Sequence, residues 1–431
     1  MKLETFKSIL LFVLVGISLL LTFSLWNDSP RYAKLNNSKY ISEADVGGDV
    51  MKKKDLIDPN QIIFHDGDRV QGFGNPKYEK ELYIDLSLWE LEDFRTGEAE
   101  WNRKKQREIE IIYPAPVPMR LLTSLFTMES DVFLPAWSYK RIFLTFDQAS
   151  TTMQVKFISS DGAYEATATL NDAAQYKKLS GYFTNGNHLV DYLAFKNGTK
   201  PIYIPAEAQT VNRRSIGAQT IDEKKFVKAL FKKQSMVSEN KGESYYLDGQ
   251  RGMRVMQNKR SIEYVNLIES DKVAMDSADL IDKSIENINE HKGWTADFDY
   301  NLFKIDTNNN SVSYKMYYKG YEIFNSNGLA TIEQQWRKGE LYKYRRPLFY
   351  LNSSLGSDPV TLPSGKEIVK ALKENSDYEQ SEIQDIRIGY FLDYPETDTH
   401  SIILEPLWFM NYKGNWQPIE ISNLQNKGSD I

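Results

Sequence analysis

The chain has 431 residues, of which 41% are hydrophobic, 13% aromatic and 26% charged, with a net charge of −6. That length divides into two to four folding units of roughly 100–200 residues, and the apolar content is enough to offset the entropy of ordering the chain. The acidic balance argues against a protein that grips nucleic-acid phosphates. The absence of cysteine excludes disulfides, thiolate metal sites, iron–sulfur ligation and cysteine nucleophiles.

From Ser8 to Trp26 the chain reads SILLFVLVGISLLLTFSLW, without a charge. At the helical rise per residue this run spans about 28 Å, the hydrocarbon thickness of a bilayer. Lys2 and Lys7 precede it, and Trp26 stands at its far end, where aromatic side chains favour the interface. Residues 1–27 are therefore expected to be a short cytoplasmic tail and an uncleaved transmembrane anchor. The N-terminus lies inside and the remainder forms an extracytoplasmic portion on the cell membrane, although Arg31, Lys34 and Lys39 dilute the charge asymmetry. A cleaved signal peptide is the competing reading. Its apolar run is normally about 7–15 residues long and ends in a small-x-small site, which FSLWNDSP does not supply.

Residues 28–44 read as a polar linker, and residues 45–206 as a mixed α+β domain. Within it, IIFHDGDRVQGF (Ile62 to Phe73) places Asp-Gly between apolar runs, a hairpin signal. YEKELYIDLSLWELEDF (Tyr78 to Phe94) has Leu82, Leu86 and Trp89, with Leu91 and Phe94 on a neighbouring row, and predicts an amphipathic helix. EIEIIYP (Glu108 to Pro114) alternates like a strand, and MRLLTSLF after Pro118 is a short helix candidate. RIFLTFD, TMQVKFISSDGAYEATATL and HLVDYLAF continue a β pattern, and KPIYIPAEA (Lys200 to Ala208) closes it.

The C-terminal half contains a repeat. MYYKG (Met316 to Gly320) and MNYKG (Met410 to Gly414) each end one strand-like run and begin another. Upstream of the first lies SADLIDKSIENINEH (Ser277 to His291), with Leu280, Ile281, Ile285 and Ile288 on one helical face. Upstream of the second lies SGKEIVKALKEN (Ser364 to Asn375), where Ser364 and Glu367 match a capping box. A hairpin precedes each helix: ESYYLDG/RGMRVMQ/SIEYVNLI in the first copy and LATIEQQW/LYKYRRPLFYL in the second. The unit is thus hairpin, helix and three-stranded meander, present in residues 207–325 and again in 326–431, joined near Asn325–Gly328. The expected fold class is α+β: one N-terminal transmembrane helix, then several domains of antiparallel sheets each packed by helices, the last two related as a repeat. The YKG segment itself reads as a turn, in which Gly supplies a positive φ.

Motifs for chemistry are scarce. No G-x-S-x-G, H-E-x-x-H or G-x-x-x-x-G-K-[ST] occurs. Ser238 and Lys241 form an S-x-x-K in a polar loop that matches no other feature. His65, His188, His291 and His400 are isolated from one another in sequence. Asp306, Asn308 and Asn310 imitate a calcium loop, but Ser311 and Tyr317 stand where Gly and a bidentate Glu are needed, so a hairpin tip is expected. Asp297 and Asp299 are one carboxylate pair among many and receive no glycosidase role. The basic runs at Met51, Asn102 and Arg337 read as solvated faces, the last also as a surface for an anionic partner. No catalytic residue, cofactor or metal ligand is assigned.

The candidate functional surface is the anchor itself. In lipid, helices associate through small and hydroxyl residues rather than through hydrophobicity. Ser18 and Thr22 share a face that Leu11, Val15 and Leu25 extend, with Gly16 on the neighbouring row. The plainer alternative is simple anchorage, each hydroxyl bonding a carbonyl of its own helix.

The opening MKLETFKSILLFVLVGISLLLTFSLW, the polar linker, and IRIGYFLDY…LEPLWFMNYKGNW near the C-terminus together resemble the YycH family of Gram-positive regulators. The similarity covers essentially the full chain. It implies a single-pass protein that modulates the sensor kinase WalK of the WalK–WalR (YycG–YycF) two-component system, together with YycI, in cell-wall homeostasis. It implies no enzyme activity, and a second copy of the chain is a further candidate partner. An anchored enzyme acting on wall polymers, or a receptor with a deep apolar cavity at a domain junction, remain the alternatives.

Overall fold

The computed structural model describes residues 45–419, except 100–106, 129–131, 148, 150, 187, 198–199, 232–235, 241–242, 268–272, 296–297 and 395–399, together with Leu14 and Ser18. Most of the expected anchor, including Leu11, Val15, Thr22 and Leu25, lies outside the described residues. Leu14 and Ser18 are helical and exposed. Among the described residues no helix is long and apolar enough to cross a membrane.

The architecture is α+β, with two large sheets. The first takes strands β1 (Gln61–Asp66), β2 (Arg69–Phe73), β3 (Glu90–Glu98), β4 (Glu108–Pro118) and β5 (Thr127–Met128). It continues with β6 (Ser138–Asp147), β7 (Thr152–Ser159), β8 (Tyr164–Leu170), β9 (Leu189–Asn197) and β10 (Lys200–Pro205). Their order is β10-β9-β2-β1-β4-β6-β7-β8-β3-β5, antiparallel except for the short β3–β5 pairing.

Helices α1 (Pro76–Ser87), α2 (Leu122–Leu125) and α3 (Ala173–Asn185) accompany this sheet. Asn75 caps α1 by accepting from the Lys77 amide at 3.0 Å, with Pro76 in the first helical position. Tyr83 of α1 meets Tyr113 of β4, hydroxyl to hydroxyl, at 2.8 Å. In α3, Tyr182 and Phe183 pack on Phe64 with ring centroids 5.2 and 5.7 Å apart.

One reading of the sequence is corrected here. The helix expected over 78–94 ends at Ser87, and Leu91 and Phe94 belong to β3. A bulge causes the imitation: Asp93 has φ +54°, and the pairing of β3 with β8 shifts between Glu92 and Arg95. One inserted residue keeps Leu91 and Phe94, three apart, both packed in the core, as helical spacing would. Both strands expected on either side form, as β8 and β9, and between them lies α3, for which the sequence reading named no element. Asp172 accepts from the Ala174 and Gln175 amides at its start, and Gly186 closes it in the left-handed region.

The second sheet begins with β11 (Gln209–Thr220), helix α4 (Glu223–Leu230), β12 (Met236–Asn240), β13 (Glu243–Asp248), β14 (Arg251–Met256) and β15 (Ser261–Asn266). Helix α5 (Ser277–Glu290) follows, then β16 (Asp299–Asp306), β17 (Ser311–Tyr318) and β18 (Tyr321–Phe324). Next come β19 (Thr331–Arg337), β20 (Glu340–Pro347), β21 (Phe349–Leu362) and α6 (Gly365–Glu374), and finally β22 (Ile383–Asp393), β23 (Ser401–Tyr412) and β24 (Asn415–Pro418). Both expected repeat helices form. Asp276 caps α5, and Ser364 with Glu367 makes the capping box of α6.

The strand pairing ties the two copies together. The β19–β20 hairpin follows the join near Asn325–Gly328, yet β19 pairs with β17 and β20 with β15, both from the first copy. Conversely, β11 precedes the first copy's helix but pairs with β23 and β21 of the second. A parallel pairing of β18 with β22 links the two into one sheet. The aromatic packing beneath α5, by contrast, stays within the first copy: Trp294 lies 5.4 Å from Tyr300 and 5.0 Å from Tyr314, all fully buried.

A polypeptide of residues 207–325 alone therefore lacks the strands that fill the gap between β15 and β17. It is expected to show no cooperative transition when melted by circular dichroism, and to gain one when co-expressed with residues 326–431. A cooperative melt of 207–325 by itself would contradict the exchange of strands.

Candidate functional site

Polar groups concentrate where the first sheet meets the second. Two adjoining cavities, of about 50 and 90 Å³, share Asn60, Pro76, Glu79, Tyr317 and Gly320 in their walls. Both fall far below the roughly 300 Å³ of ordinary small-molecule sites; the wall of the smaller is mostly apolar and that of the larger slightly more polar than apolar. The deep apolar receptor cavity considered from the sequence is not what this junction supplies.

Carboxylates here are held unusually. Burial pushes Glu79, on α1, up to about 8 despite its acceptance of the Ile62 amide. Burial also lifts Asp58 to about 6; Lys80 opposes that shift and Asp299 adds to it. Lys80 in turn pairs with Asp299 at 3.1 Å, from α1 to β16. On the other wall Arg387 donates to Glu322 at 2.6 Å and also to Asp385, and Lys315 approaches Glu322 at 3.5 Å. Burial works against the Arg387 charge, and Asp385 and Glu322 more than offset it. The Tyr317 hydroxyl and Arg387 Nε have no hydrogen-bond partner among the described residues, the kind of group that ordered water satisfies in a polar cavity.

A separate cluster around a buried carboxylate sits in the first sheet. Glu110 of β4 is fully buried, meets His65 Nε2 at 2.9 Å, accepts from the Tyr203 hydroxyl at 3.1 Å and pairs with Arg141. Arg141 also donates to the Pro201 carbonyl at 3.1 Å. This cluster cross-links β1, β4, β6 and β10, with each charge matched by a neighbour.

The other residues considered from sequence separate. His188 stacks on Tyr78 at 3.7 Å. His291 is buried against Tyr344 at 3.1 Å, and burial with the nearby Arg346 lowers it to about 3. Asp306 holds the Asn309 amide and side chain, and Asn310 donates to the Val273 carbonyl, so this hairpin tip is closed by its own contacts. Asp297 lies outside the described residues. The basic stretch from Arg337 is not uniformly solvated: Arg346 is fully buried beneath Phe226 and donates to the carbonyls of Gly293 and Pro347. Among the described residues no group of three or more His, Asp or Glu is placed to hold a metal ion. Of the face expected in the anchor, only Ser18 is among the described residues; Leu11, Val15, Thr22 and Leu25 lie outside them.

Comparison with known proteins matches residues 4–186 to the family model described as "YycH protein, N-terminal domain", and residues 199–428 to "YycH protein, C-terminal domain". The chain belongs to the YycH family. The Bacillus subtilis (strain 168) family member named "Two-component system WalR/WalK regulatory protein YycH" is 22% identical over all of this chain and 99% of its own length. The solved structure titled "Crystal Structure of YycH from Bacillus subtilis" superposes with a TM-score of 0.72 at 18% identity, covering 87% of this chain and 99% of that one. The likeness in structure establishes a shared fold.

In this YycH-family chain the two YKG turns have different surroundings. Gly320 has φ +84°, and a Cβ there would lie 2.5 Å from Pro76 Cβ, at the start of α1. Gly414 has φ +82° and open space around it. Sequence alone reads both as turns, and both are; the first is also a contact with the other sheet, which nothing in the five-residue motif discloses.

Two outcomes are expected. Gly414→Ala carries only the cost of a left-handed alanine, about 1 kcal/mol. Gly320→Ala adds a collision with Pro76, so its melting temperature falls clearly further; equal losses would deny the contact. The folded pKa of Glu79 lies above its unfolded value, so the folded state holds more protons between about pH 4.5 and 8. Its contribution is complete below that window and is lost as pH rises through it. Urea midpoints measured from pH 5 to 9 should fall with pH, and Glu79→Gln should flatten that slope. His291 acts oppositely, with stability lost as pH falls from about 6.5 toward 3.

Proposed function

We propose that this chain is a membrane-anchored, non-enzymatic regulator of a WalK-like sensor histidine kinase, working from the extracytoplasmic side together with a YycI-like partner. The observation that carries the reading is the end-to-end match to a relative named as a WalR/WalK regulatory protein. The match to the N-terminal family domain begins at residue 4, so the apolar run from Ser8 to Trp26 lies within the family's own boundaries. The route inward proposed here is contact between membrane helices.

Leu11, Val15, Ser18, Thr22 and Leu25 form the face for that contact, the hydroxyls of Ser18 and Thr22 permitting close approach or a bond across helices. A kinase poised between two states needs only a few kcal/mol of differential contact to change its output. Replacing both Ser18 and Thr22 with leucine should reduce co-purification of the kinase from membranes and alter expression of its target genes. Unchanged recovery together with unchanged output would remove this face from the mechanism.

A further inference from the structure

The residues that connect the N-terminal segment to the first sheet do not begin by pairing with that sheet. Val46, Gly48 and Asp49 donate from their amides to the carbonyls of His291, Lys292 and Trp294 at 3.1, 3.1 and 2.6 Å. The Asn289 side chain clamps the Met51 backbone with two bonds, accepting from its amide at 3.0 Å and donating to its carbonyl at 2.9 Å. The Asn301 side chain repeats this on Asp58, at 3.0 and 2.8 Å, and the Leu302 amide donates to the Leu56 carbonyl at 2.7 Å. Lys292 pairs with Asp45 at 2.6 Å and Lys53 with Asp282 at 2.7 Å. Among the described residues, every such bond leaving residues 45–56 ends between 282 and 302. Only from Asn60, whose amide donates to the Ile112 carbonyl at 2.8 Å, does the chain enter the first sheet.

The two halves of this strap differ. In the inner half Leu56 and Ile57 are fully buried, and their removal would open the core. In the outer half, residues 45–51, Val46 is the one fully buried side chain. Gly47 has φ +96°, and Gly48 lies against the Trp294 carbonyl with no room for a Cβ. Its hold is main-chain bonds, one asparagine clamp, one exposed ion pair, the burial of Val46 and the packing of Met51 on the core, a set that opens locally at lower cost than the core itself.

We propose that residues 45–51 are a detachable strap. Closed, it fixes residues 45–51 to the end of α5; open, it frees these seven residues, up to about 25 Å of chain. Tether length sets the effective concentration of the extracytoplasmic sheets at any membrane-bound partner. The strap is thus a two-state element placed between the N-terminal segment and the folded body, and its regulatory meaning rests on the kinase reading above.

Hydrogen exchange on the full-length chain in detergent micelles tests it. The amides of Val46, Gly48, Asp49 and Met51 should exchange at least about tenfold faster than core amides of β6, β7 and β23, and faster again by about tenfold in Asn289→Ala. Because Asn289 also accepts from Trp294 Nε1 at 2.8 Å, Lys292→Asp provides an opening that spares the core. Adding Asp45→Lys should reclose it. Exchange of these amides in step with the core, or no response to either opening variant, would overturn the strap. The opening is read on the protein alone, so its failure is distinct from that of the kinase reading, which the Ser18 and Thr22 replacements test. Target-gene output unchanged in Asn289→Ala and Lys292→Asp, with exchange accelerated, would show that the strap opens without regulatory effect and would reject its role as a switch.

Discussion

A chain of buried charges holds the two copies of the repeat to each other. Lys315 on β17, Glu322 on β18, and Arg387 and Asp385 on β22 lie in sequence across the one parallel pairing that makes the C-terminal half a single sheet. Glu322 is almost fully buried, and Lys315 and Arg387 nearly so. Taking such ions from water costs several kcal/mol each, and the cost is offset only when every member keeps its partner. Aromatic rings complete the site: Lys315 lies 4.5 Å from the Phe303 ring and 4.4 Å from that of Phe324, which itself stacks on Phe409 at 4.0 Å. Gly389 belongs to the same requirement, because a Cβ there would press on the Phe324 ring and the Glu322 carbonyl. Three paired residues would be a weak link as hydrogen bonds alone; the matched charges fix which three they are.

The rest of the described body is built across this seam. The first sheet docks on it through Pro76 against Gly320 and through Lys80 to Asp299, and the start of α6 packs on Pro205 through Gly365. Residues 45–58 cross to the second sheet before the chain turns back to form the first. Residues 44–431 accordingly form one compact unit.

What the sequence discloses divides along the range of the interactions. The hairpin at Asp66–Gly67, the caps at Asp276 and Ser364, and the amphipathic rows of α5 and α6 are local, with the residues that decide them a few positions apart. Helix α3 also carries a local signal, Asp172 before it and Gly186 after it, but Ala173–Asn185 sits between two strongly patterned strands. The bulge at Asp93 is harder, because an inserted residue in a strand counterfeits the helical period. The exchange of β11 and β19–β20 between copies leaves no trace in composition. The clamp of Asn289 on Met51 joins residues 238 apart, and an asparagine late in a helix reads as nothing more than a polar face. The raised carboxyls of Asp58 and Glu79 are likewise products of assembly, ordinary until a second sheet removes their water.

Duplication helps explain why the junction could be built at all. The YKG turn occurs twice with nearly the same geometry, φ at Gly320 and Gly414 differing by 2°, so the backbone shape belongs to the motif and not to its surroundings. In one copy Pro76 has settled against that shape; in the other the space stays open. A turn that needs glycine for its own conformation offers a surface without a side chain, against which a helix start can approach closely with no further sequence change. Pro76 at the first position of α1, where its missing amide costs nothing, is the residue type suited to that approach.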